Sequence, residues 1–401
     1  MKTGSPQIPN SKRAAGLVLA AAVALVSLGV PANAADKLKI GYIGTFSGPG
    51  AAFGQNMADG FMLGLEELGG KLGGLEVELS KNDDQWKPDV AKQIAEKLVT
   101  RDHVDIVAGV YFSNILVSIY RTVVDSNTLL ITSNAGPSPQ AGKECSPYFF
   151  TTSWQSDQLS KALGKYMSDH GLNRVATVVS NYQAGVDALN GFKSGFKGTI
   201  VAEIMPAVGQ LDYSAEIARV SSQKPDAIFA FIAGGLSVNF VKQYAQAGLM
   251  KKIPFHSIFT ISATNLPAIG EVAIGTKSIN AWTIDADNPE NKKFVENFRK
   301  KYKRDPSIDS ANAYDSVFLI DQAVRDINGK IEDKQAFIRA LEQAKFKSIR
   351  GTFKFNNNHF PIQTFYQTAV TKASDGHLYD ARGEAVLVDD MDAYHDQCKM
   401  N

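Results

Sequence analysis

Short β-rich runs alternate with longer amphipathic runs along this chain, and the chain passes through that alternation twice. Leu38 to Ile43 reads as a strand, about Gln55 to Leu68 as a helix, and Leu75 to Lys81 as the next strand. Pro88 suits a first helical turn and opens a helix to Thr100, followed by a strand at Asp105 to Ala108, a helix from about Ile115 to Asp125 and a strand at Leu129 to Ile131. A second series begins after Tyr148, with strands near Arg174 to Val179, Thr199 to Ile204, Ala227 to Phe231 and Pro254 to Ile258 separated by helix patterns. Successive strands joined through helices run parallel and need cover on both faces, so the pattern predicts an α/β fold of two doubly wound lobes.

Helical patterns at Asn291 to Tyr302, Ala311 to Asn328 and Lys334 to Ala344 are too many to cap the second lobe alone. The chain is therefore expected to cross back. Residues 36–152 with 283–357 then make an N-terminal lobe, residues 153–282 with 358–401 a C-terminal lobe, and the crossovers form a hinge suited to closure around a ligand.

Ahead of the first strand, Lys2, Lys12 and Arg13 precede an apolar stretch from Ala14 to Val30 and the small residues Ala32, Asn33 and Ala34. This is the layout of a secretory signal peptide, assigned to residues 1–34 with cleavage after Ala34; a membrane anchor is the competing reading, disfavoured by the Ala-rich stretch and the small-residue site. Loss of those three cations leaves 39 Lys and Arg against 41 Asp and Glu, a balance that excludes a nucleic-acid binder. More than 360 residues remain, enough for two lobes of ordinary size. Export takes Cys145 and Cys398 into an oxidising compartment, where a disulfide would pin the C-terminal tail; two unpaired thiols are the alternative, because sequence does not fix the distance between them. Neither has a partner at metal-ligand spacing and the six histidines are scattered, so no metal or cofactor is expected.

Ligands of open α/β sheets sit beyond the carboxyl ends of the strands, which singles out three loops. Gly44 to Gly54 leads from a strand into a helix and contains Phe53. Val110-Tyr111-Phe112-Ser113-Asn114 opens the next helix, and Thr132-Ser133-Asn134-Ala135-Gly136-Pro137 ends the strand before it. Together they would offer hydroxyls and backbone N–H groups to a small organic anion without any cationic side chain, with Phe53, Tyr111 and Phe112 as apolar walls. The competing reading makes Ser113 a helix cap and the aromatics ordinary core.

The run from Ile40 to Pro49, with Ala52-Phe53-Gly54, resembles the opening of the leucine/isoleucine/valine-type periplasmic binding proteins of ABC importers. Asp83-Asp84 with Lys87-Pro88, Cys145 to Thr152, and Asp212-Tyr213-Ser214 resemble the same family in order and spacing. The resemblance implies a type I periplasmic binding protein, with two lobes joined by a three-strand hinge. It also implies a receptor rather than an enzyme, located in the periplasm and working with membrane permease and ATPase subunits; a monomer is expected. It assigns carboxylate binding to Ser113, an aromatic wall to Phe53, closure to Tyr182 in the second lobe, and a neighbouring place to Trp154.

Two departures from that family bear on the ligand. Its amino-acid binders hold the α-ammonium with a Thr after the fourth strand and an acidic residue late in the second lobe. Here the first position reads Gly136, with Ser133 or Ser138 as the alternatives if the alignment slips, and the second falls in Phe259 to Thr264, which contains no carboxylate. A buried ammonium without a counter-charge costs several kcal/mol, so a carboxylate without an amine fits better. Since Phe53, Tyr111, Phe112, Trp154 and Tyr182 would suit a flat ring, an aromatic carboxylate, a benzoate or phenylpropenoate, is the expected ligand. A branched-chain or other neutral amino acid, or a short amide, is the alternative. A nucleotide-dependent enzyme is remote: Gly48, Gly50 and Gly54 follow a strand, but the last spacing is one residue too long for a dinucleotide fingerprint and Pro49 occupies the turn.

Overall fold

The computed structural model describes Met1, Gly4 and residues 37–400, so the apolar leader and its expected cleavage point lie outside the described residues. Two sheets organise the chain. The first runs in the order Lys71–Leu72, Leu75–Asp83, Lys37–Gly44, Ile106–Gly109, Leu129–Thr132 and Phe149–Thr151. Its strands are parallel apart from the short hairpin Lys71–Leu72, with Ile40 opposite both Leu79 and Ile106. Lys37–Gly44 thus has the second strand on one side and the third on the other, which opens a crevice beyond its carboxyl end.

The second sheet repeats that winding. Arg174–Val179 lies between Thr199–Ile204 and Ala227–Phe231, followed outward by Phe255–Ser257 and Lys277–Asn280. Pro361–Lys372 then pairs antiparallel with Lys277–Asn280 and with Leu378–Asp390. That last hairpin was not marked by the helix-and-strand alternation, because its strands are half-exposed and charged instead of cleanly apolar on one face. Elsewhere the expected elements stand within a few residues, the largest difference being the first helix, which begins at Ala51 behind a Gly48–Gly50 turn.

The helix Ile308–Asp326 packs along the first helix, Ala51–Glu67. Close approach there requires glycine: a Cβ on Gly60 would stand 2.0 Å from the carbonyl oxygen of Ser310. A reciprocal cap by Ser307 and Ser310 fixes where the long helix starts. Among the described residues no helix is long and apolar enough to cross a membrane.

Three segments run between the sheets, near residues 151–154, 282–288 and 349–363, and one buried cation ties the first to the last. Arg350 Nε donates to Asp315 Oδ2 at 3.0 Å, its Nη2 to the carbonyl of Thr152 at 2.6 Å, and its Nη1 to Gln363 Oε1 at 3.0 Å. Gln363 Nε2 in turn donates to the carbonyl of Ser153, and Asn288 Nδ2 to that of Ile349. Burial pushes the Arg350 pKa down and that of Asp315 up, each countered by the other's charge. The tail ends on the first lobe, where Cys398 is disulfide-bonded to Cys145 with Cα atoms 5.6 Å apart.

Removing Arg350 leaves the Asp315 carboxylate buried without its cation. Arg350→Ala is expected to lower unfolding stability by about 3–5 kcal/mol in denaturant titrations. A loss below about 1 kcal/mol would mean that the pair does not hold the crossings together.

Candidate functional site

The crevice beyond Lys37–Gly44 meets the matching edge of the second sheet, and between them lies a narrow cavity lined by residues of both. The lobes touch around it: Ser138 donates to Asp187 through its N–H at 3.1 Å and its hydroxyl at 2.7 Å, and Gly235 N donates to the Pro49 carbonyl at 2.9 Å.

The first-lobe wall is built on a strained turn. Gly109 and Val110 have φ of 97° and 60°, a region a β-branched residue enters only when its surroundings enforce it. Val110 is held there by its own N–H on the Ile43 carbonyl at 2.8 Å and by Ala135 N on its carbonyl at 3.3 Å. The turn delivers Tyr111, Phe112 and Ser113 to the cavity in sequence. Ser113 is the first residue of the helix Ser113–Val124; the cap position is Phe112, and no side chain caps the first turn. The Ser113 hydroxyl is therefore not engaged in capping, and the leading N–H groups of this helix, which have no intrahelical acceptor, sit at its positive end. Asn134 also lines the cavity, with its Nδ2 donating to the Tyr111 carbonyl at 2.6 Å.

Two chains of aromatic rings face one another. In the first lobe Phe53 meets Tyr111 edge-on at 5.9 Å, Tyr111 meets Phe112 at 4.8 Å, and Trp86 stacks on Phe112 at 3.8 Å. From the second, Trp154 stacks on Phe259 at 4.9 Å, Phe259 meets Phe231 at 6.0 Å, and Phe231 meets Tyr182 at 6.0 Å.

Of the residues singled out in the sequence, Phe53, Tyr111, Phe112, Ser113, Asn134, Trp154 and Tyr182 line this one cavity. Ala135 and Gly136 do not; they stand one layer behind it. Gly136 is there because a Cβ would come within 2.0 Å of the Trp154 carbonyl oxygen, and its own carbonyl accepts from Ser156 N at 2.8 Å, so it positions the first crossing. Ser156, Phe231, Gly234, Ile258 and Phe259 line the cavity without having been singled out. Phe231 ends its strand and Phe259 lies just past another, so the strand-end rule that marks the first-lobe loops would have marked both.

None of the fourteen lining residues is charged. One carboxyl lies behind them: Tyr111 Oη donates to Asp309 Oδ2 at 3.3 Å, and burial raises Asp309 to about 7. At that value it is largely neutral below neutral pH. What the arrangement offers chemically is binding: apolar ring faces on two sides and uncharged hydrogen-bonding groups between them. Among the described residues no group of His, Cys, Asp and Glu is placed to hold a metal.

The profile of the periplasmic binding protein family matches residues 37–376. A Leu/Ile/Val-binding protein homolog from Brucella melitensis is 32% identical over 371 residues, covering 90% of this chain and 94% of its own length. A solute-binding protein of an ABC transporter from R. palustris, solved in complex with benzoate, is 30% identical with a TM-score of 0.86, covering 91% of this chain and 100% of that one. Another from R. palustris, solved with 4-hydroxybenzoate, is 30% identical with a TM-score of 0.81, covering 87% and 96%. The chain belongs to the periplasmic binding protein family, as a type I solute-binding protein of an ABC transporter and not an enzyme.

Proposed function

We propose that this protein captures a small aromatic carboxylate, of benzoate or phenylpropenoate type, and delivers it to the permease and ATPase subunits of its importer. The observation that carries the reading is a cavity walled by aromatic rings whose fourteen lining residues include no charge. An α-amino acid would bring an ammonium with no counter-charge in the wall, at a cost of several kcal/mol. A carboxylate needs only donors, which the Ser113 hydroxyl and the helix start supply. The ring packs between Phe53, Tyr111 and Phe112 on one side and Trp154, Tyr182, Phe231 and Phe259 on the other, at about 0.5–1.5 kcal/mol per aromatic pair beyond burial. Asn134, with Ala135 and Gly136 behind it, braces the first wall. The two similar proteins solved with benzoate and 4-hydroxybenzoate support the same ligand class.

The leader is cleaved after Ala34 and releases the chain, a monomer, into the periplasm. Residues 36–152 with 283–357 and residues 153–282 with 358–401 act as the two lobes, and ligand binding selects the closed state. A branched-chain or other neutral amino acid, or a short amide, is the second reading, favoured by the name of the Brucella relative.

A thermal-shift panel on protein unfolded and refolded to strip carried-over ligand separates the two. A ligand at a hundred times its Kd adds about 2.7 kcal/mol of stability. Benzoates or phenylpropenoates are expected to raise Tm and leucine, isoleucine and valine to leave it unchanged; the reverse pattern would replace the first reading by the second. Ser113→Ala is expected to weaken binding of the responding acid by about 1.5–3 kcal/mol, read by calorimetry, and an unchanged Kd would remove Ser113 from the site.

Asp309 predicts a pH dependence. Its folded pKa is raised from 3.8 to about 7, so its proton is lost as pH rises through 7, and the resulting charge, near Tyr111 and Tyr42, opposes a bound anion. Affinity is expected to be higher at pH 6 than at pH 8, and Asp309→Asn to remove the difference. Equal wild-type affinity at both values would contradict this.

A further inference from the structure

Trp86 is not among the residues that line the cavity, yet it lies beside a lining residue from each lobe. In the first lobe its indole stacks on Phe112 at 3.8 Å with 8° between the planes, and its Nε1 donates to Asn114 Oδ1 at 3.3 Å. Toward the second lobe, a Cβ added to Gly234 would stand 3.4 Å from Trp86 Cζ3. The side chain is packed against the buried apolar clusters of both lobes.

The first lobe fixes where the indole stands. Gln85 and Trp86 have φ of 55° and 56°, two successive left-handed residues of which neither is glycine, a conformation that persists only where its surroundings enforce it. Two adjacent carboxyl groups do so. Asp83 Oδ1 accepts from Phe46 N at 2.8 Å and Gln85 N at 2.9 Å, while Oδ1 of the fully buried Asp84 accepts from Thr45 Oγ1 at 2.6 Å and Trp86 N at 2.8 Å. These bonds tie the Trp86 turn to the loop that carries Pro49.

Opposite stands a turn of the second lobe without side chains, Gly234–Gly235. Gly235 N donates to the Pro49 carbonyl at 2.9 Å. Its φ of −65° is open to any residue, so conformation does not require glycine there. Space does: an added Cβ would meet the carbonyl oxygen of Pro49 at 2.8 Å and the carbon at 3.8 Å, both in the first lobe, and nothing else within 4 Å. Glycine at this position therefore serves the approach of the two lobes.

We propose that Trp86 and Pro49 form the seat that receives the Gly234–Gly235 turn when the lobes close, with Trp86 as a positioning residue that also holds the Phe112 ring in the ligand wall. The proposal rests on the reading above of a cleft that closes around its ligand. Trp86 stabilises the closed state from outside the cavity. A ligand leaves only as the cleft reopens, so the seat governs dissociation more than association.

Stopped-flow rates and calorimetric affinities of ligand-stripped wild type, Trp86→Ala and Gly235→Ala, with benzoate and leucine as probes, test it. Both variants are expected to lose about 10-fold in affinity for whichever probe the wild type binds, through faster dissociation with association unchanged within about 2-fold. Gly235→Ala should keep the ligand-free Tm of the wild type, because its Cβ meets only the other lobe. Dissociation rates within about 2-fold of wild type in both variants, or a loss carried by association, would overturn the seat. Binding of leucine and not benzoate by the wild type would overturn the aromatic-acid reading, and the leucine rates would then decide the seat. If Trp86→Ala does not fold, Gly235→Ala decides the question alone.

Discussion

The buried guanidinium of Arg350 is the contact on which the two-lobed arrangement depends. It joins the long helix through Asp315, the first crossing through Thr152 and the last through Gln363, while the middle segment is bonded to the last through Asn288 on the Ile349 carbonyl. Five donors spread over a rigid planar fork make arginine the residue for this task, where lysine's three donors all radiate from one nitrogen. A hinge of this kind fixes where the lobes pivot and leaves the cleft walls free to be chosen for the ligand.

In the proposed reading those walls recognise the ligand without charge. Strain at Val110 aims Tyr111, Phe112 and Ser113 inward, and the helix start behind Ser113 supplies a partial positive end in place of a cation. A neutral framework avoids the desolvation cost that an arginine or lysine would incur on closure, and it discriminates against any ligand that brings an ammonium. The carboxyl behind Tyr111, Asp309, is kept largely protonated by burial, so it does not alter that character below neutral pH.

Much of this was legible in the sequence because the doubly wound sheets depend on local periodicity. Arg174–Val179, Thr199–Ile204 and Ala227–Phe231 stand where alternating apolar residues place them. The first-lobe loops were legible for the same reason, each following a well-marked strand. Other features depend on contacts between distant residues. Nothing local marks Arg350 as buried, since its neighbours are Lys345, Lys347 and Lys354, and only the fold brings Asp315 to it. Phe259 lies just past a strand that was legible, so the rule that marked the first-lobe loops applies to it as well. Gly136 reads as part of a binding loop but serves to let the first crossing pass.

The central claim is that an uncharged framework holds a carboxylate at Ser113 with its ring between the two aromatic chains. A crystal structure of the protein with bound benzoate tests it most directly. The account predicts carboxylate oxygens within hydrogen-bond distance of the Ser113 hydroxyl and the N–H groups opening its helix, with the ring between Tyr111 and Trp154. A carboxylate paired instead with a lysine or arginine side chain, or a ring lying outside that cleft, would contradict it.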